Sequence, residues 1–261
     1  NEAWIMEMIG KGPGIKGAVW VAVRIPDDCI AAHANQSRIH KFNLNDKDNC
    51  LYSPDVISFA REKGYFTGKN SDFSFADAYC PLDFSGLRFC EARVWSFYNM
   101  FSKTTGDAYL PYILGESKDP MPLYIKADSK LSVRDVQRAM RDHYEGTPLD
   151  ITKDLGAGPF ETPYRLSPLT FKVDGVEYFN ERPISTQQSA FSFVAQMRAN
   201  LPDPVGGVLW FGLDDANMTV FTPVYCCTDR IPVPYAEGNG DCVTFSWDSA
   251  FWIYNWVANM A

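Results

Sequence analysis

The spacing of apolar residues along this chain changes from a strand-like pattern to a helix-like pattern and back, and this order constrains the fold most. Short runs rich in Val, Ile and Trp fill residues 2–35, whereas residues 53–146 place apolar side chains three or four positions apart. Residues 171–227 return to strand-like runs, and residues 244–261 are predicted to form a closing helix. Because strands and helices are segregated, without βαβ alternation, the sequence predicts an α+β fold of antiparallel sheets flanked by helices.

The first 35 residues carry the clearest strand signals. Three apolar runs, at 2–10, 17–25 and 29–35, are separated by GKGPGIK and PDD, whose Gly, Pro and Asp residues favour turns. We therefore expect an antiparallel meander of three strands. A period of two places His33 and Asn35 on one face of the third strand, at its C-terminal end, where side chains can reach into a site.

Two helices are predicted in the segment that follows. Residues 53–66 read SPDVISFAREKGYF, in which Ser53 takes the N-cap position and Gly64 ends the helix. Residues 83–101 carry an apolar stripe at helical spacing. The stripe consists of Leu87, Cys90, Val94 and Phe97.

A third helix, a hairpin and three longer strands are predicted next. The helix over residues 131–146 opens with a capping box formed by Ser132 and Asp135. Asp174 and Gly175 favour the positive backbone angles of a tight primed turn, so FKVDGVEYF is predicted to be a hairpin. The strand-like runs that follow read STQQSAFSFVAQM, GGVLWFGL and MTVFTPVYCC.

Length and charge limit the classes of partner. With 261 residues, 46% of them hydrophobic, the chain can bury a core without disulfides or metals. Lys and Arg number 24 against 32 Asp and Glu, a net charge of -8 that argues against nucleic acid and anionic membranes as partners. The chain contains no run of about 18 apolar residues, the length that a helix needs to span a bilayer. We expect one soluble domain over residues 1–261, in the cytoplasm or, behind a leader, in the periplasm.

The seven cysteines show no metal-binding motif. They stand at positions 29, 50, 80, 90, 226, 227 and 242, with no C-x-x-C and no histidine at zinc-ligand spacing. A phosphate-binding loop is not predicted either, because GKGPG joins two strands and opens no helix. We expect buried free thiols, no metal and no cofactor. The adjacent pair Cys226 and Cys227 leaves a redox role open as an alternative.

Two arginines on the helix predicted over residues 83–101 differ in their expected surroundings. Arg88 and Arg93, with Glu91 between them, fit a solvated face held by ion pairs. Arg88 also adjoins the apolar stripe, and a buried arginine needs a carboxylate or another anion to face. Arg88 is therefore expected to face a carboxylate or another anion.

Six long stretches carry a family resemblance: EAWIMEMIGKGPGIKGAVWVAVRIPDDCIAAHANQSRIH, NCLYSPDVISFAREKGYF, LRFCEARVWSF, MRDHYEGTPLD, VEYFNERPISTQQ and TFSWDSAFWIYNWVANM. They closely resemble the C69 family of dipeptidases, relatives of the secernins and of the bile-salt and penicillin V acylases. The resemblance covers nearly the whole chain. It implies a cysteine-type dipeptidase with the four-layer αββα sandwich of the N-terminal-nucleophile hydrolases, working without metal or cofactor.

The resemblance also implies a nucleophile that this sequence does not show. In the family, processing exposes a cysteine whose thiolate attacks the peptide carbonyl while its own α-amino group serves as the base. Asn1 is not a nucleophile, and none of the seven cysteines stands at the corresponding place. We therefore expect a middle segment of such a protein, inactive alone, whose partners are a dipeptide and the missing N-terminal segment. Assembly into a homo-oligomer is left open.

The resemblance assigns roles to two residues, Asn35 and Arg88. Related acylases use an asparagine at the end of a strand to donate its amide to the tetrahedral oxyanion, and Asn35 in AHANQ resembles it. They also keep an arginine near the thiolate, which Arg88 in LRFCEAR resembles; its charge would lower the thiol pKa or hold the substrate carboxylate. His33 has no required catalytic role and is expected either to be a hydrogen-bonded strand residue or to line the substrate pocket.

Three functions remain to be separated. The first is hydrolysis of dipeptides through an acyl-enzyme. The second is an amidase or acylase that acts on N-acyl substrates and needs an apolar acyl pocket, so turnover of dipeptides against N-acyl amino acids separates the two. The third is a non-catalytic peptide-binding module that uses the aromatic surface of the chain.

Overall fold

The computed structural model describes residues 2–165, 170–241 and 243–260. The chain divides into two compact units, Glu2–Lys130 and Leu131–Ala261, which we call the N-terminal unit and the C-terminal unit. Each unit contains its own antiparallel sheets and helices, which confirms the predicted α+β class. The expectation of a single domain stays a prediction.

The N-terminal unit is built on an antiparallel pair of strands. β1 (Ala3–Gly10) pairs with β2 (Ala18–Ile25) along its whole length, as predicted. The N–H of Lys11 donates to the carbonyl oxygen of Gly17 at 3.2 Å and closes the connection between the strands. Gly17 has a φ of 100°, a conformation that favours glycine.

The prediction of a third strand paired with β2 is wrong. β3 (Ile30–Ala31) covers only two residues and does not pair with β2, whose second edge is taken by β4 (Cys50–Tyr52). The partner of β3 is β5 (Tyr124–Ile125). His33 and Asn35 follow β3 in a loop and do not share a strand face. Further along this loop, the backbone N–H groups of Arg38 and Ile39 donate to the buried carboxylate of Glu7 in β1.

Helices cover the inward face of the β1–β2 sheet. α1 (Val56–Glu62) and α2 (Phe75–Tyr79) bury apolar residues in one cluster with Val19 and Val21 of β2. A 3-10 turn, Asn70–Asp72, lies between the two helices. The apolar core of the N-terminal unit therefore lies between this sheet and these helices.

The first helix ends as predicted but begins differently. Asp55 holds the N-cap position of α1, while the hydroxyl oxygen of Ser53 accepts a hydrogen bond from the N–H of Trp20 at 3.2 Å. The prediction of Ser53 as the N-cap is wrong because its oxygen binds β2 instead. Gly64 has a φ of 73°, the left-handed conformation that commonly follows a helix end.

The helix predicted over residues 83–101 is present, but its first part is wound differently. Gly86–Glu91 form a π-helix that continues directly into α3 (Ala92–Phe101). α4 (Lys103–Ile113) packs against α3. Because a π-helix closes its hydrogen bonds five residues apart, it rotates the side chains that follow relative to a regular α-helix.

The C-terminal unit begins with a shorter helix than predicted. α5 (Val133–Ala139) opens with the predicted capping box, in which Ser132 and Asp135 bond each other's backbone N–H. The helix ends at Ala139 instead of reaching Gly146. Tyr144 has a φ of 66°, which an α-helix cannot include.

The remaining predicted strands of the C-terminal unit are confirmed. β6 (Thr170–Val173) and β7 (Val176–Phe179) form the hairpin, with positive φ at Asp174 and Gly175. A three-stranded antiparallel sheet follows, with the strand order β10-β9-β8. The later elements are β8 (Phe191–Met197), α6 (Asp203–Gly206), β9 (Gly207–Leu213), β10 (Thr222–Tyr225), α7 (Val233–Ala236) and α8 (Ala250–Met260).

Membrane-spanning helices are not found in the described parts of the chain. None of the helices there combines the length and the apolar character that crossing a bilayer requires. The longest, α4 and α8, have 11 residues each, whereas a spanning helix needs about 20.

Candidate functional site

The segment that carries His33 and Asn35 is a loop that follows β3 in the N-terminal unit. It reads AHANQSRI over residues 32–39, and we call it the site loop. The side chains of His33 and Asn35 are exposed, whereas Gln36 and Arg38 are buried. The loop is therefore held by its buried residues and presents an imidazole and an amide at the surface.

Glu7 of β1 forms hydrogen bonds with the site loop. Its side chain is 3% exposed, and its Oε1 accepts hydrogen bonds from the backbone N–H of Arg38 at 2.6 Å and of Ile39 at 3.1 Å. The hydroxyl of Ser37 donates to the other carboxylate oxygen. His33 Nε2 lies 3.0 Å from Oε1. A single carboxylate thus binds both ends of the site loop.

These contacts change the acidity of Glu7. Burial raises the pKa of the Glu7 carboxyl, but the hydrogen bonds from His33, Ser37 and the two backbone N–H groups outweigh burial and hold the pKa below its usual value. Glu7 is therefore ionised at neutral pH. A buried negative charge on β1 stabilises the loop at that pH.

Arg38 fixes the opposite side of the site loop through a buried ion pair. Its Nε lies 2.8 Å from Glu91 Oε1, and the two side chains are 2% and 5% exposed. The N–H of Nε is not aligned with that oxygen, so their attraction is mainly Coulombic. The Nη groups donate to the carbonyl oxygens of Ala32 and Pro122, at 3.0 Å each. Arg38 therefore ties the loop both to the π-helix and to the segment after α4.

Glu91 is a weaker acid than an exposed glutamate. Burial raises its pKa, and the attraction of Arg38 offsets this only in part. Removing one member of such a pair leaves an uncompensated buried charge, at a cost of about 3 to 5 kcal/mol. This pair joins the site loop to the π-helix.

Gln36 holds the middle of the site loop against the helices. Its Nε2 donates to the carbonyl oxygen of Cys80 at 2.6 Å. Gly86, the first residue of the π-helix, lies so close that a Cβ atom at this position would overlap Gln36 Oε1. The loop can approach the π-helix only because residue 86 has no side chain.

Asn35 is an exposed residue whose side-chain amide is bonded to an arginine. Arg93 Nη2 donates to Asn35 Oδ1 at 2.8 Å, and Arg93 Nε donates to the carbonyl oxygen of Phe89 at 2.6 Å. Within the described residues, no acceptor is bonded to Asn35 Nδ2. The N–H₂ group is thus available to a ligand.

The arginine that contacts Asn35 is Arg93, which the sequence predicts to lie on a solvated face. The structure contradicts the ion pairs predicted for that face, because Glu91 is buried and pairs with Arg38, whereas Arg93 is half-buried and donates to Asn35 at the exposed surface. Arg88, the candidate from the sequence, is also half-buried, and its Nη1 donates to the carbonyl oxygen of Ile113 at 3.0 Å. Arg93 and Asn35 stand 58 positions apart, so no local pattern reveals their contact.

The cysteines match the expectation of buried free thiols only in part. All six described cysteines are free; Cys50 and Cys90 are buried, whereas Cys226 and Cys227 are exposed, and Cys242 lies outside the described residues. Burial raises the pKa of the Cys50 thiol, which disfavours the reactive thiolate. Among the described residues, no three His, Cys, Asp or Glu side chains gather in a way that could hold a metal ion.

An open groove adjoins the buried side of the site loop. It has a volume of about 670 Å³, and Arg38 lines it together with His40, Pro122 and Tyr124. Its lining does not include His33 or Asn35. The groove therefore shares one wall with the candidate site but not the exposed residues of the site.

The sequence matches the model of a known protein family along its full length. The model described as Peptidase family C69 matches residues 1–261. The chain is also similar to curated proteins named as dipeptidases, and it spans about half the length of these relatives.

Three of these relatives show the level of similarity. A probable dipeptidase of Salmonella dublin is 28% identical over 225 residues, covering 86% of this chain and 45% of that protein. A probable dipeptidase of Latilactobacillus sakei is 28% identical over 237 residues, covering 91% and 43%. Dipeptidase A of Lactobacillus helveticus is 22% identical over 260 residues, covering 100% and 48%.

Proposed function

Because this chain belongs to peptidase family C69, we propose that it is part of a hydrolase that cleaves dipeptides. The proposal is supported by relatives that are named as dipeptidases and that match 86% or more of the chain. The protein that carries this chain is proposed to use a cysteine thiolate that lies outside these 261 residues.

We propose that the antiparallel sheets of the two units belong to the αββα sandwich of the N-terminal-nucleophile hydrolases. The support is the presence in each unit of a three-stranded antiparallel sheet together with helices. Such a sandwich requires sheets that can bury a face against another layer.

Asn35 is proposed to donate its side-chain amide to the oxyanion. When a thiolate attacks the peptide carbonyl, the carbon becomes tetrahedral and its oxygen gains a negative charge. A donor already aimed at that oxygen stabilises the transition state more than the substrate, which raises kcat. One observation carries this proposal: Arg93 holds Oδ1 of Asn35, so the donor group Nδ2 is the end left for a ligand.

The other two candidate residues keep roles as proposals. Arg88 is proposed to lie near the thiolate or the substrate carboxylate, supported by the guanidinium position fixed by the carbonyl of Ile113. His33 is proposed to line the substrate pocket, supported by its exposed position two residues from Asn35. Neither residue is needed as a base, since the α-amino group of the nucleophile takes that role in the proposed mechanism.

The Asn35→Ala variant of the full-length protein tests the proposal. Loss of one oxyanion donor lowers kcat by about 10²-fold to 10³-fold, equivalent to about 2.7 to 4 kcal/mol, and should leave KM for dipeptides nearly unchanged. Initial rates on a dipeptide panel, with N-acyl amino acids in parallel, give both constants. The panel also separates the dipeptidase from the acylase.

Asn70→Ala is the matched control for this experiment. Asn70 also accepts a hydrogen bond from an arginine, Arg61, at 2.8 Å, but lies on the exposed turn between α1 and α2. The control should keep the wild-type kcat, and both variants should unfold at the wild-type temperature. An Asn35→Ala enzyme with wild-type kcat would remove Asn35 from the oxyanion site.

A further inference from the structure

The contact between Arg93 and Asn35 has a consequence for the direction of the amide. We propose that Arg93 is a positioning residue that selects which end of the Asn35 amide faces the substrate, an inference that rests on the proposed function. The two residues touch through Arg93 Nη2 and Asn35 Oδ1, 2.8 Å apart. In this proposal Arg93 does not touch the substrate and acts only through Asn35.

The chemistry of the two groups fixes the direction. A guanidinium has five N–H donors and no acceptor, whereas a primary amide has an acceptor end and a donor end of nearly the same shape. If the Asn35 amide turned over, its N–H₂ group would face the N–H groups of Arg93, and two donors would meet. The orientation with Oδ1 toward Arg93 is therefore the stable one, and Nδ2 points to the other side.

The guanidinium of Arg93 is also bonded to the helix backbone, which limits its movement relative to Asn35. Its Nε donates to the carbonyl oxygen of Phe89 at 2.6 Å, one turn earlier along the helix. Phe89 is buried in the π-helix, and Arg93 is the second residue of α3. The planar guanidinium is thus bonded on one edge to the helix backbone and on another to the site loop, which restricts its rotation.

The positive charge adds a second effect on the same amide. A cation at the carbonyl oxygen polarises the amide, because hydrogen bonds in a chain strengthen one another. The N–H of Nδ2 then becomes a stronger donor toward a developing negative charge. Both effects increase stabilisation of the oxyanion and leave binding of the uncharged peptide carbonyl in the substrate largely unaffected.

Arg93→Met in the full-length protein removes both effects while keeping a long apolar side chain. We expect kcat for dipeptides to fall by about tenfold or more with KM within about twofold, the pattern of an interaction made in the transition state. Arg93→Lys keeps a donor-only cation and should recover part of kcat. Arg93→Gln can offer either end of its own amide, so it should recover less than Lys.

Arg61→Met is the matched control. Arg61 Nη2 donates to Asn70 Oδ1 at 2.8 Å, the same pair of atoms at the same distance as in the candidate site, but Arg61 lies on the exposed surface of the N-terminal unit. This variant should keep the wild-type kcat. It measures the effect of losing an Arg–Asn contact that is unrelated to catalysis.

A double-mutant cycle with Asn35→Ala decides the mechanism. If Arg93 acts through Asn35, the double variant Asn35→Ala/Arg93→Met should have the kcat of Asn35→Ala alone, because no amide remains to be positioned. If the two losses multiply, Arg93 acts independently of Asn35 and the inference is overturned. If Arg93→Met does not fold, the comparison of Lys with Gln replaces it, and equal kcat values for those two variants overturn the inference.

Failure of this inference differs from failure of the proposed function. Wild-type kcat in Asn35→Ala contradicts the proposed role of Asn35 itself. A large loss in Asn35→Ala combined with wild-type kcat in Arg93→Met leaves Asn35 in the site and overturns only the positioning role of Arg93.

Discussion

Glu7 is the residue that most clearly breaks the local pattern of its strand. In β1 it alternates with Ile5 and Ile9, which pack against the core of the N-terminal unit, so a charged residue stands on the apolar face. A polar residue at a core position departs from the binary pattern, and such departures concentrate at functional or specially supported sites. The charge of Glu7 within an apolar strand face is therefore a sequence signal for the anchor of the site loop, although it forms part of no motif.

We predict that Glu7→Gln weakens folding in a pH-dependent way. Hydrogen bonds to a charged group contribute about 1.5 to 3 kcal/mol, and the amide of Gln can accept only part of the present set, so the variant should lose that order of stability at pH 7. The pKa of Glu7 is lowered in the folded state, so its contribution is present above the unfolded pKa and is lost as pH falls through the folded pKa. Urea unfolding at pH 7 and at about pH 3 gives the difference.

Glu2→Gln is the control for the charge change. Glu2 is an exposed glutamate next to β1, and it accepts a hydrogen bond from Trp4 Nε1 at 3.0 Å. Its replacement should change stability by less than about 0.5 kcal/mol at either pH. A loss in Glu7→Gln that is equally large at pH 7 and at low pH would show that the shape of the side chain, and not its charge, supports the loop.

At the scale of elements, local signals predicted local structure well. The strand pair β1–β2, the capping box at Ser132 and the hairpin turn at Asp174 each depend on residues within a few positions of one another, and all three are confirmed. The pairing of β3 with β5 joins Ile30 to Ile125, and nothing near either residue specifies the other.

The candidate site depends on contacts between residues that lie far apart in the sequence. Asn35 could be found in the sequence because its own neighbourhood resembles a family motif. Its support could not, because Glu7, Glu91 and Arg93 reach the site loop from separate parts of the chain. The π-helix also has no sequence signature, and it rotates the face that carries Arg93 relative to a regular helix.

The close approach of the site loop to the π-helix gives a prediction for Gly86. A methyl group at Gly86→Ala would overlap Gln36 Oε1 and push Gln36 away from the carbonyl of Cys80. Overpacking of this kind costs about 1 to 3 kcal/mol. The displaced loop carries Asn35, so kcat of the full-length protein should fall together with the unfolding temperature.

Gly10→Ala is the matched control, because a Cβ atom at Gly10 meets no atom within 4 Å. It should change neither kcat nor the unfolding temperature by a measurable amount. A wild-type kcat in Gly86→Ala, together with a lowered kcat in Gln36→Ala, would contradict this prediction. It would show that the close approach of the site loop to Gly86 does not determine the position of Asn35.

At the scale of the whole chain, each unit leaves one face of its main sheet apolar and exposed. In the N-terminal unit, Met6 and Met8 of β1 are 55% and 63% exposed, and exposed Leu51 of β4 is in register with Met6 across Ala22 of β2. In the C-terminal unit, Phe191 and Phe193 of β8 are exposed in the same way. Contiguous apolar patches on a sheet favour association, whereas the net charge of -8 opposes it by repulsion.

These opposing terms predict how the 261-residue chain behaves in solution. Salt screens the repulsion and leaves the apolar contact, so the weight-average mass in sedimentation equilibrium should rise with protein concentration and with NaCl. Met6→Lys/Met8→Lys should lower the mass and the binding of a hydrophobic dye. The control Ile15→Lys/Leu114→Lys adds the same charge at exposed apolar residues outside the sheet, so a smaller fall is expected for it. Equal falls in both variants would mean that added charge, and not loss of the apolar sheet face, governs association.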